Sequence, residues 1–206
     1  MNPPPVARPQ VAVLAGINGA GKTTASQHLL REALRVPSFT NADAIARGLN
    51  ALDVESVAVK AGRVMLDHLH ELAAARQSFA FETTLSGRAY APWLRQLVRD
   101  GYAVHLLYYW LESADVAISR VAERVRAGGH HLPDDTVRRR YARSVRNFLE
   151  LYRPVVTTWQ VYDNTHGARR LIAFNNGYFD TVLDHDLWDR FHRSANDGGT
   201  IHSAGE

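Results

Sequence analysis

The chain has 206 residues, 46% of them hydrophobic, which is enough for one well-formed core and favours a single α/β domain. It has no cysteine, which excludes disulfides and thiolate chemistry, and its net charge of +3 suits an anionic partner such as a nucleotide, a sugar phosphate or a nucleic acid. No apolar stretch approaches the ~20 residues of a membrane span and the start lacks the apolar core of a signal peptide, so we expect a cytoplasmic protein without a membrane partner.

The first predicted strand, at residues 11–15, runs directly into the sequence GINGAGKTT at residues 16–24. A glycine-rich turn between a strand and a helix is the P-loop pattern, in which backbone N–H groups and a helix N-terminus hold phosphate oxygens. The ammonium of Lys22 would reach the terminal phosphates, and the hydroxyl of Thr23 would ligate Mg²⁺. Lys22 is one of only two lysines beside twenty-two arginines, so a lysine at this position is informative. We therefore predict that ATP and Mg²⁺ are bound here by Gly16, Asn18, Gly19, Ala20, Gly21, Lys22, Thr23 and Thr24.

Strands and helices alternate along the rest of the chain. Further strands are predicted at residues 37–41, 78–82, 103–110 and 158–162, and helices at residues 22–34, 54–76, 88–99, 113–127 and 134–151. This alternation indicates βαβ units, so we expect a three-layer α/β fold whose mostly parallel five-stranded sheet is flanked by helices. Asn176-Gly177, between two apolar runs, predicts a small C-terminal antiparallel hairpin. The domain would span residues 10–193, between flexible tails at residues 1–9 and 194–206.

Polar residues follow each of the other predicted strands, at the edge where ligands of open α/β sheets lie. They are Asn41-Ala42-Asp43, the segment from Glu82 through Thr83, Thr84 and Leu85 to Ser86, then Glu112, and Asp163-Asn164. Any one of these alone suits a helix N-cap equally well. Phosphoryl transfer needs a carboxylate to orient the acceptor, and Asp43 is our candidate because the second strand ends on the γ-phosphate side.

For the other polar strand ends, the residues themselves leave more than one role open. Glu82 would order Mg²⁺ through water or hold the acceptor, and no standard Walker B carboxylate is evident. Hydroxyl and amide groups for acceptor binding would come from Asn41, Thr83, Thr84 and Ser86.

Residues 120–146 form two predicted helical stretches joined by residues 128–133, which we interpret as a hinged lid. Arg120 and Arg124 lie on one helical face, and the lid's second helix carries Arg139, Arg143 and Arg146 on another. One or more of these arginines would close over the triphosphate and stabilise charge in the transition state. The alternative is a solvated basic helix face paired with neighbouring carboxylates.

The ordered motifs across residues 10–175 resemble those of the zeta toxin family of P-loop kinases, in its short bacterial branch. AGINGAGKTT is followed by NADAIA, AGR (61–63), SFAFETTLSGR (78–88), GY (101–102), RVAERVRAGGH, RRRY and YDN (162–164). The resemblance implies a P-loop kinase core that transfers the ATP γ-phosphate to the 3′-hydroxyl of a sugar nucleotide such as UDP-N-acetylglucosamine. It also implies an antitoxin protein as a candidate partner.

Position by position, the resemblance also implies roles for individual residues. It matches Lys22, Asp43, Arg124 and Arg140 to the catalytic residues, with Asp43 as base and the two arginines as a charge-neutralising pair. Arg120 is expected at the nucleotide and Arg63, with Glu82, at the acceptor.

Other functions stay open. One is a kinase of another small metabolite or an antibiotic, and a second is a kinase of nucleic-acid 5′ ends, although nucleic acid is a less expected partner. A third is a regulator that binds ATP without transferring phosphate, against which Asp43 and the polar strand ends argue. NADAIA and FETTLSG differ from the toxins' counterparts around the sugar site.

Overall fold

Buried apolar runs form a seven-stranded sheet in the computed structural model, which describes residues 8–24, 36–129 and 131–196. The strands are β1 (Gln10–Gly16), β2 (Ser38–Thr40), β3 (Phe79–Thr83), β4 (Ala103–Trp110), β5 (Thr158–Asp163), β6 (Arg170–Asn175) and β7 (Asp180–Val182). Their spatial order is β2-β3-β1-β4-β5-β6-β7, and the first five in this order are parallel. The predicted α/β sheet is thereby confirmed.

The C-terminal hairpin continues this sheet, because β6 pairs with β5 in antiparallel fashion and β7 pairs with β6. Its turn contains Asn176-Gly177, as predicted, and Gly177 has a φ of 97°. The side chain of Asn175 accepts a hydrogen bond from the Gly177 N–H, which fixes the turn. Two antiparallel strands, β6 and β7, therefore extend the five parallel strands at the β5 edge of the sheet.

Helices cover both faces of the sheet. They are α1 (Ala42–Leu49), α2 (Ala58–Ala74), α3 (Tyr90–Arg99), α4 (Ala114–Arg126), α5 (Asp134–Asn147) and α6 (His185–Ser194). Helix α5 continues into a π-helical turn at Phe148–Tyr152 and a 3₁₀ turn at Arg153–Val155. Helical backbone also begins at Lys22 and reaches residue 24, and the remainder of the helix predicted at 22–34 lies outside the described residues.

The sequence patterns did not predict α1 and α6. Each begins at a side-chain cap, since Asn41 accepts from the N–H groups of Asp43 and Ala44, and Asp184 accepts from the N–H of Leu187. Such caps satisfy N–H groups that the first helical turn leaves without a partner. Both helices are short, so they are stabilised mainly by the cap and by a few apolar contacts.

Aromatic packing joins the sheet to α3, α5 and α6 on one face. Phe81 contacts the ring of Trp93, and Tyr108 contacts Phe148 and Phe191. On the opposite face, α4 and α5 pack against β4 around a second buried cluster, made of Ile17, Ala20, Leu107, Tyr109, Leu111, Ala117, Val121, Leu132, Val137 and Tyr141. The two clusters hold the carboxyl ends of the strands in fixed positions.

Packed structure reaches beyond the predicted ends of the domain. Arg8 donates to the carbonyl of Gly101 at 2.9 Å, and the carbonyl of Pro9 accepts from the N–H of Ala103 at 2.9 Å. At the other end Ser194 is buried and lies 3.2 Å from the indole nitrogen of Trp110. Residues 1–7 and 197–206 of the predicted tails lie outside the described residues. Within the part of the chain described, no helix combines the length and the apolar character needed to cross a bilayer.

Candidate active site

The glycine-rich loop is shaped by close contact with its neighbours. Gly16 has a φ of 134°, and a Cβ at this position would lie 2.1 Å from the carbonyl oxygen of Tyr109. A Cβ on Gly21 would lie 2.8 Å from the side-chain nitrogen of Asn164. Glycine is therefore required at both positions, because a side chain would clash with these neighbours and the φ values of 134° and 77° disfavour other residues. Within the loop Asn18 is half-buried and Ala20 is fully buried, and Thr24 is exposed at the start of the following helix.

Lys22 points its ammonium group into the protein at the base of this loop. It is 6% exposed, donates to the carbonyl of Ile17 at 2.9 Å and lies 3.8 Å from a carboxylate oxygen of Glu82. Burial lowers the pKa of Lys22, the carboxylates of Glu82 and Asp43 raise it, and the guanidinium of Arg124 lowers it. A buried cation with this sparse compensation fits a site for phosphate oxygens, because added negative charge would stabilise the ammonium.

Glu82 lies at the centre of the site, at the carboxyl end of β3. Its Oε2 accepts hydrogen bonds from the Thr23 hydroxyl at 2.9 Å and from the Asn41 side chain at 2.8 Å. The parallel register of β1 with β3 places Leu14 opposite Glu82, so the strand end lies beside the glycine-rich loop. Glu82, for which ordering Mg²⁺ was one of the two expected roles, therefore contacts the hydroxyl expected to ligate that ion. The sequence alone does not show that β3 lies next to β1, so it could not place Glu82 beside Thr23.

A cavity of about 180 Å³ opens beside these groups. It is lined by Lys22, Asn41, Ala42, Asp43, Met65, Glu82, Thr83, Thr84 and Tyr90. Asp43 is exposed in the first turn of α1, where the cap made by Asn41 fixes its backbone. Ser86 is adjacent, since its hydroxyl lies 2.8 Å from that of Thr84, whereas Arg63 is exposed on α2 and does not line the cavity. The structure thus gathers the expected acceptor residues apart from Arg63.

The two helices of the predicted lid pack onto the domain at their base. The phenol of Tyr141 in α5 donates to the carbonyl of Leu111 at 2.8 Å and accepts from the indole of Trp110 at 3.1 Å. Val121 of α4 and Val137 of α5 are buried in the same cluster. The linker between the helices includes His130, which lies outside the described residues.

The arginines expected at the nucleotide have different surroundings. Arg120 is half-buried and donates to the carbonyl of Thr165 at 2.9 Å, which ties α4 to the segment after β5. Arg124 is exposed, and its positive charge contributes to lowering the pKa of Lys22. Arg140 is half-buried on α5.

The remaining polar strand ends have structural contacts. The carboxylate of Asp163 accepts from the backbone N–H of Thr165 at 2.9 Å, and Glu112 forms an ion pair with Arg190 of α6. Asn164 donates to the carbonyl of Ala20 at 2.8 Å. This bond fastens β5 to the glycine-rich loop across most of the chain length, and no sequence pattern indicates it.

Two observations bear on the groups this site would bind. The side-chain oxygens of Asn18 and Asn164 are buried next to the loop without a hydrogen-bond partner among the described residues. Mg²⁺ in phosphate-binding sites typically keeps water and phosphate ligands and uses one or two carboxylates, and the Thr23 hydroxyl and Glu82 carboxylate offer such a donor set. No group of three or more His, Asp or Glu side chains that could hold a metal is found within residues 8–24, 36–129 and 131–196.

Comparison with known proteins gives the family. Residues 11–148, more than half of the chain, match the model of a family described as an AAA domain. The chain belongs to this AAA domain family. An uncharacterized protein of Haemophilus influenzae is 29% identical to this AAA domain over 126 residues, which is 61% of the chain and 88% of that protein.

Solved structures share the fold of this AAA domain. The AvrRxo1-ORF1:AvrRxo1-ORF2 complex with sulphate ions superposes with a TM-score of 0.74 at 14% identity over 94% of the chain, and the complex with ATP with a TM-score of 0.73 at 14% identity over 97%. The chain spans 66% of the length of each of these AvrRxo1 chains. A structure from the PezAT chromosomal toxin-antitoxin system of Streptococcus pneumoniae gives a TM-score of 0.62 at 15% identity over 96% of this chain and 90% of that one. The AAA domain therefore has the α/β P-loop kinase fold.

Proposed function

We propose that this AAA domain is an ATP-dependent phosphotransferase that moves the γ-phosphoryl group to a hydroxyl of a small molecule. The observation that carries the proposal is the position of Glu82, which accepts from Thr23 and Asn41 beside the buried ammonium of Lys22. A cavity containing the carboxylate of Asp43 opens directly next to this cluster. A phosphate site, a cation site and a candidate base thus share one edge of the sheet.

The nucleotide side of the site follows from the loop and its lysine. Backbone N–H groups of residues 16–24 bind the phosphate oxygens, and Lys22 neutralises negative charge on the terminal phosphates. Thr23 and Glu82 hold Mg²⁺, which when bound offsets charge on the β- and γ-phosphates. Arg120, Arg124 and Arg140 approach from α4 and α5 to stabilise the transferring group. The AvrRxo1 complex with ATP, which has the same fold, supports ATP as the nucleotide.

Asp43 acts on the acceptor side. Its carboxylate accepts the proton of the acceptor hydroxyl as the oxygen attacks the γ-phosphorus, a step typically worth about 10²–10⁴ in rate. Asn41 accepts from the backbone N–H of Asp43 and donates to the carboxylate of Glu82, so one side chain links the first turn of α1 to the end of β3. We assign the two carboxylates separate tasks, with Glu82 at the cation and Asp43 at the acceptor.

The acceptor is a sugar nucleotide such as UDP-N-acetylglucosamine. Hydroxyl and amide groups of Asn41, Thr83 and Thr84 line the cavity. These groups suit the hydroxyls of a sugar ring. The resemblance to the zeta toxins supports this acceptor, and the shared fold with PezAT, a toxin-antitoxin system, supports an antitoxin protein as partner.

Label transfer tests the proposal. The purified protein is incubated with γ-labelled ATP, Mg²⁺ and a panel of UDP-sugars, nucleosides, aminoglycosides and a 5′-hydroxyl oligonucleotide, and labelled products are separated. We expect label on UDP-N-acetylglucosamine, with none in a matched Asp43→Asn reaction. If only the oligonucleotide or an aminoglycoside is labelled, the proposed acceptor is wrong and the labelled compound takes its place. If ATP binds but no compound is labelled, the protein is better explained as an ATP-binding regulator.

A further inference from the structure

A second cavity, of about 440 Å³, lies on the far side of the β3–α3 loop from the glycine-rich loop. We call it the arginine cleft, and it is lined by Ser86, Arg88, Arg143, Arg146, Asn147 and Glu150. Its side chains carry three positive charges and one negative charge. Arg143 and Asn147 lie four residues apart on α5 and therefore on the same helical face, whereas Glu150 lies in the π-helical continuation.

The arginine cleft adjoins the cavity of about 180 Å³ beside Glu82 and Asp43, which we call the acceptor cavity. Thr84 lines the acceptor cavity and Ser86 lines the cleft, and their two hydroxyls are 2.8 Å apart. Leu85 between them is buried, with a φ of 54° that turns the chain sharply. One molecule that fills both cavities would therefore pass over this pair of hydroxyls.

Buried hydrogen bonds hold the loop between the two cavities. The hydroxyl of Ser144 donates to the carbonyl of Thr84, and the Asn147 side chain donates to the carbonyl of Leu85 at 2.7 Å. The phenol of Tyr152 donates to the carbonyl of Gly87 at 2.7 Å. Three loop carbonyls are thus tied to α5 or its continuation, so the loop between the two cavities is preorganised.

The guanidinium groups of the arginine cleft can donate hydrogen bonds to an anionic ligand. Arg146 is oriented by a bond from its guanidinium to the carbonyl of Ala195 at 2.9 Å. Within the part of the chain that the structure describes, Arg88 and Arg143 form no ion pair with a carboxylate. A guanidinium presents several N–H groups in a plane that matches two oxygens of a phosphate. Arg139, on the same helix, does not line the cleft.

We propose that the arginine cleft binds a phosphate or diphosphate group of the phosphoryl acceptor while the reacting hydroxyl lies in the cavity at Asp43. The inference rests on the proposed function and narrows its substrate class to hydroxyl compounds that carry an anionic group several bonds from the reacting oxygen. Arg88 and Arg143 supply the main charge, and Arg146 the oriented third contact. A neutral sugar would fill the acceptor cavity alone and bind more weakly.

Titration with inorganic pyrophosphate tests whether the arginine cleft binds a diphosphate, independently of phosphoryl transfer. The protein is first saturated with the magnesium complex of a non-hydrolysable ATP analogue, so that the glycine-rich loop is filled, and is then titrated with pyrophosphate. The test variant is Arg88→Gln with Arg143→Gln, and the matched control is Arg95→Gln, an exposed arginine on α3 that lines neither cavity. Circular dichroism confirms that each variant is folded, and Arg88→Lys with Arg143→Lys retains charge without the planar donor pair.

We expect pyrophosphate to bind the wild type and the control alike, at least about tenfold more weakly to the glutamine variant and at an intermediate strength to the lysine variant. Equal binding by the wild type and the glutamine variant, or no binding by the saturated wild type, would overturn the inference. The label-transfer panel, with a neutral sugar and its phosphate added to it, separates the two proposals. Transfer to a neutral sugar as efficiently as to its phosphate would refute the cleft and leave the kinase, whereas pyrophosphate binding without transfer would refute the kinase and leave the cleft.

Discussion

The substitution Glu82→Gln removes one charge from the centre of the site while keeping its shape. The amide oxygen of glutamine can take the place of Oε2 and accept from Thr23 and Asn41, as the carboxylate does at 2.9 and 2.8 Å. The amide nitrogen then faces Lys22, whose ammonium lies 3.8 Å from Oε1 in the wild type. The variant therefore isolates the electrostatic contribution of Glu82 from its hydrogen bonds.

The magnitude follows from the separation and burial of the pair. At 3.8 Å the attraction between unit charges is about 4 kcal/mol with an effective dielectric constant of about 20. Both side chains are mostly buried, so solvent screens the pair little. The bond from Lys22 to the Ile17 carbonyl remains and offsets part of the loss. We expect the nucleotide-free variant to lose about 2–3 kcal/mol in free energy of unfolding, or about 5–10 °C in Tm for a chain of this size.

Thermal and urea unfolding, followed by circular dichroism, measure this loss. Glu55→Gln is the control because Glu55 is exposed and should change the free energy of unfolding by less than about 0.5 kcal/mol. Adding the ATP analogue without magnesium should recover part of the lost stability, since phosphate oxygens replace the missing carboxylate beside Lys22. If Glu82→Gln were as stable as the wild type, the claim that Glu82 compensates a buried ammonium would be wrong.

Three other perturbations test separate parts of the account. Asp43→Asn should lower label transfer at least about 100-fold while the Kd for ATP changes less than about threefold, and unchanged transfer would remove Asp43 as base. Gly16→Ala should destabilise the fold by about 3 kcal/mol in urea because its Cβ meets the Tyr109 carbonyl, whereas Gly62→Ala, in open space on α2, should be neutral or stabilising by up to about 1 kcal/mol. Burial, with Arg8 adding to it, lowers the pKa of His105 below its unfolded value of about 6.5. Protonation then favours the unfolded chain, so the urea midpoint should fall as pH drops below about 6.5 and should fall less in His105→Gln.

The centre of the sheet was predictable because β1, β3 and β4 consist largely of continuous apolar runs. The run at 103–110 is buried along almost its whole length and matches β4 residue for residue. The helices α1 and α6 escaped prediction because their signals are weak. In α6, the Asp184 cap and the spacing of Leu187, Trp188 and Phe191 are consistent with a helix once its packing is known.

The sequence predicts which residues lie at the candidate site better than it predicts which of them contact one another. The glycine-rich pattern locates Lys22 and Thr23, since a strand, a turn and a helix must follow one another there. The partner of Thr23 depends on which strand lies next to β1, and that order is set by tertiary packing. The bond from Asn164 to Ala20 joins residues 144 positions apart, and no local pattern encodes it.

The central claim is that the triphosphate of ATP lies on residues 16–24 with its terminal phosphates at Lys22. Calorimetric titration with the magnesium complex of a non-hydrolysable ATP analogue tests it most directly, using Lys22→Ala and, as control, Lys60→Ala, which changes the chain's other, exposed lysine. We predict one nucleotide per chain for the wild type and Lys60→Ala, and at least about 100-fold weaker binding for Lys22→Ala. Equal affinity of Lys22→Ala and the wild type would contradict the account.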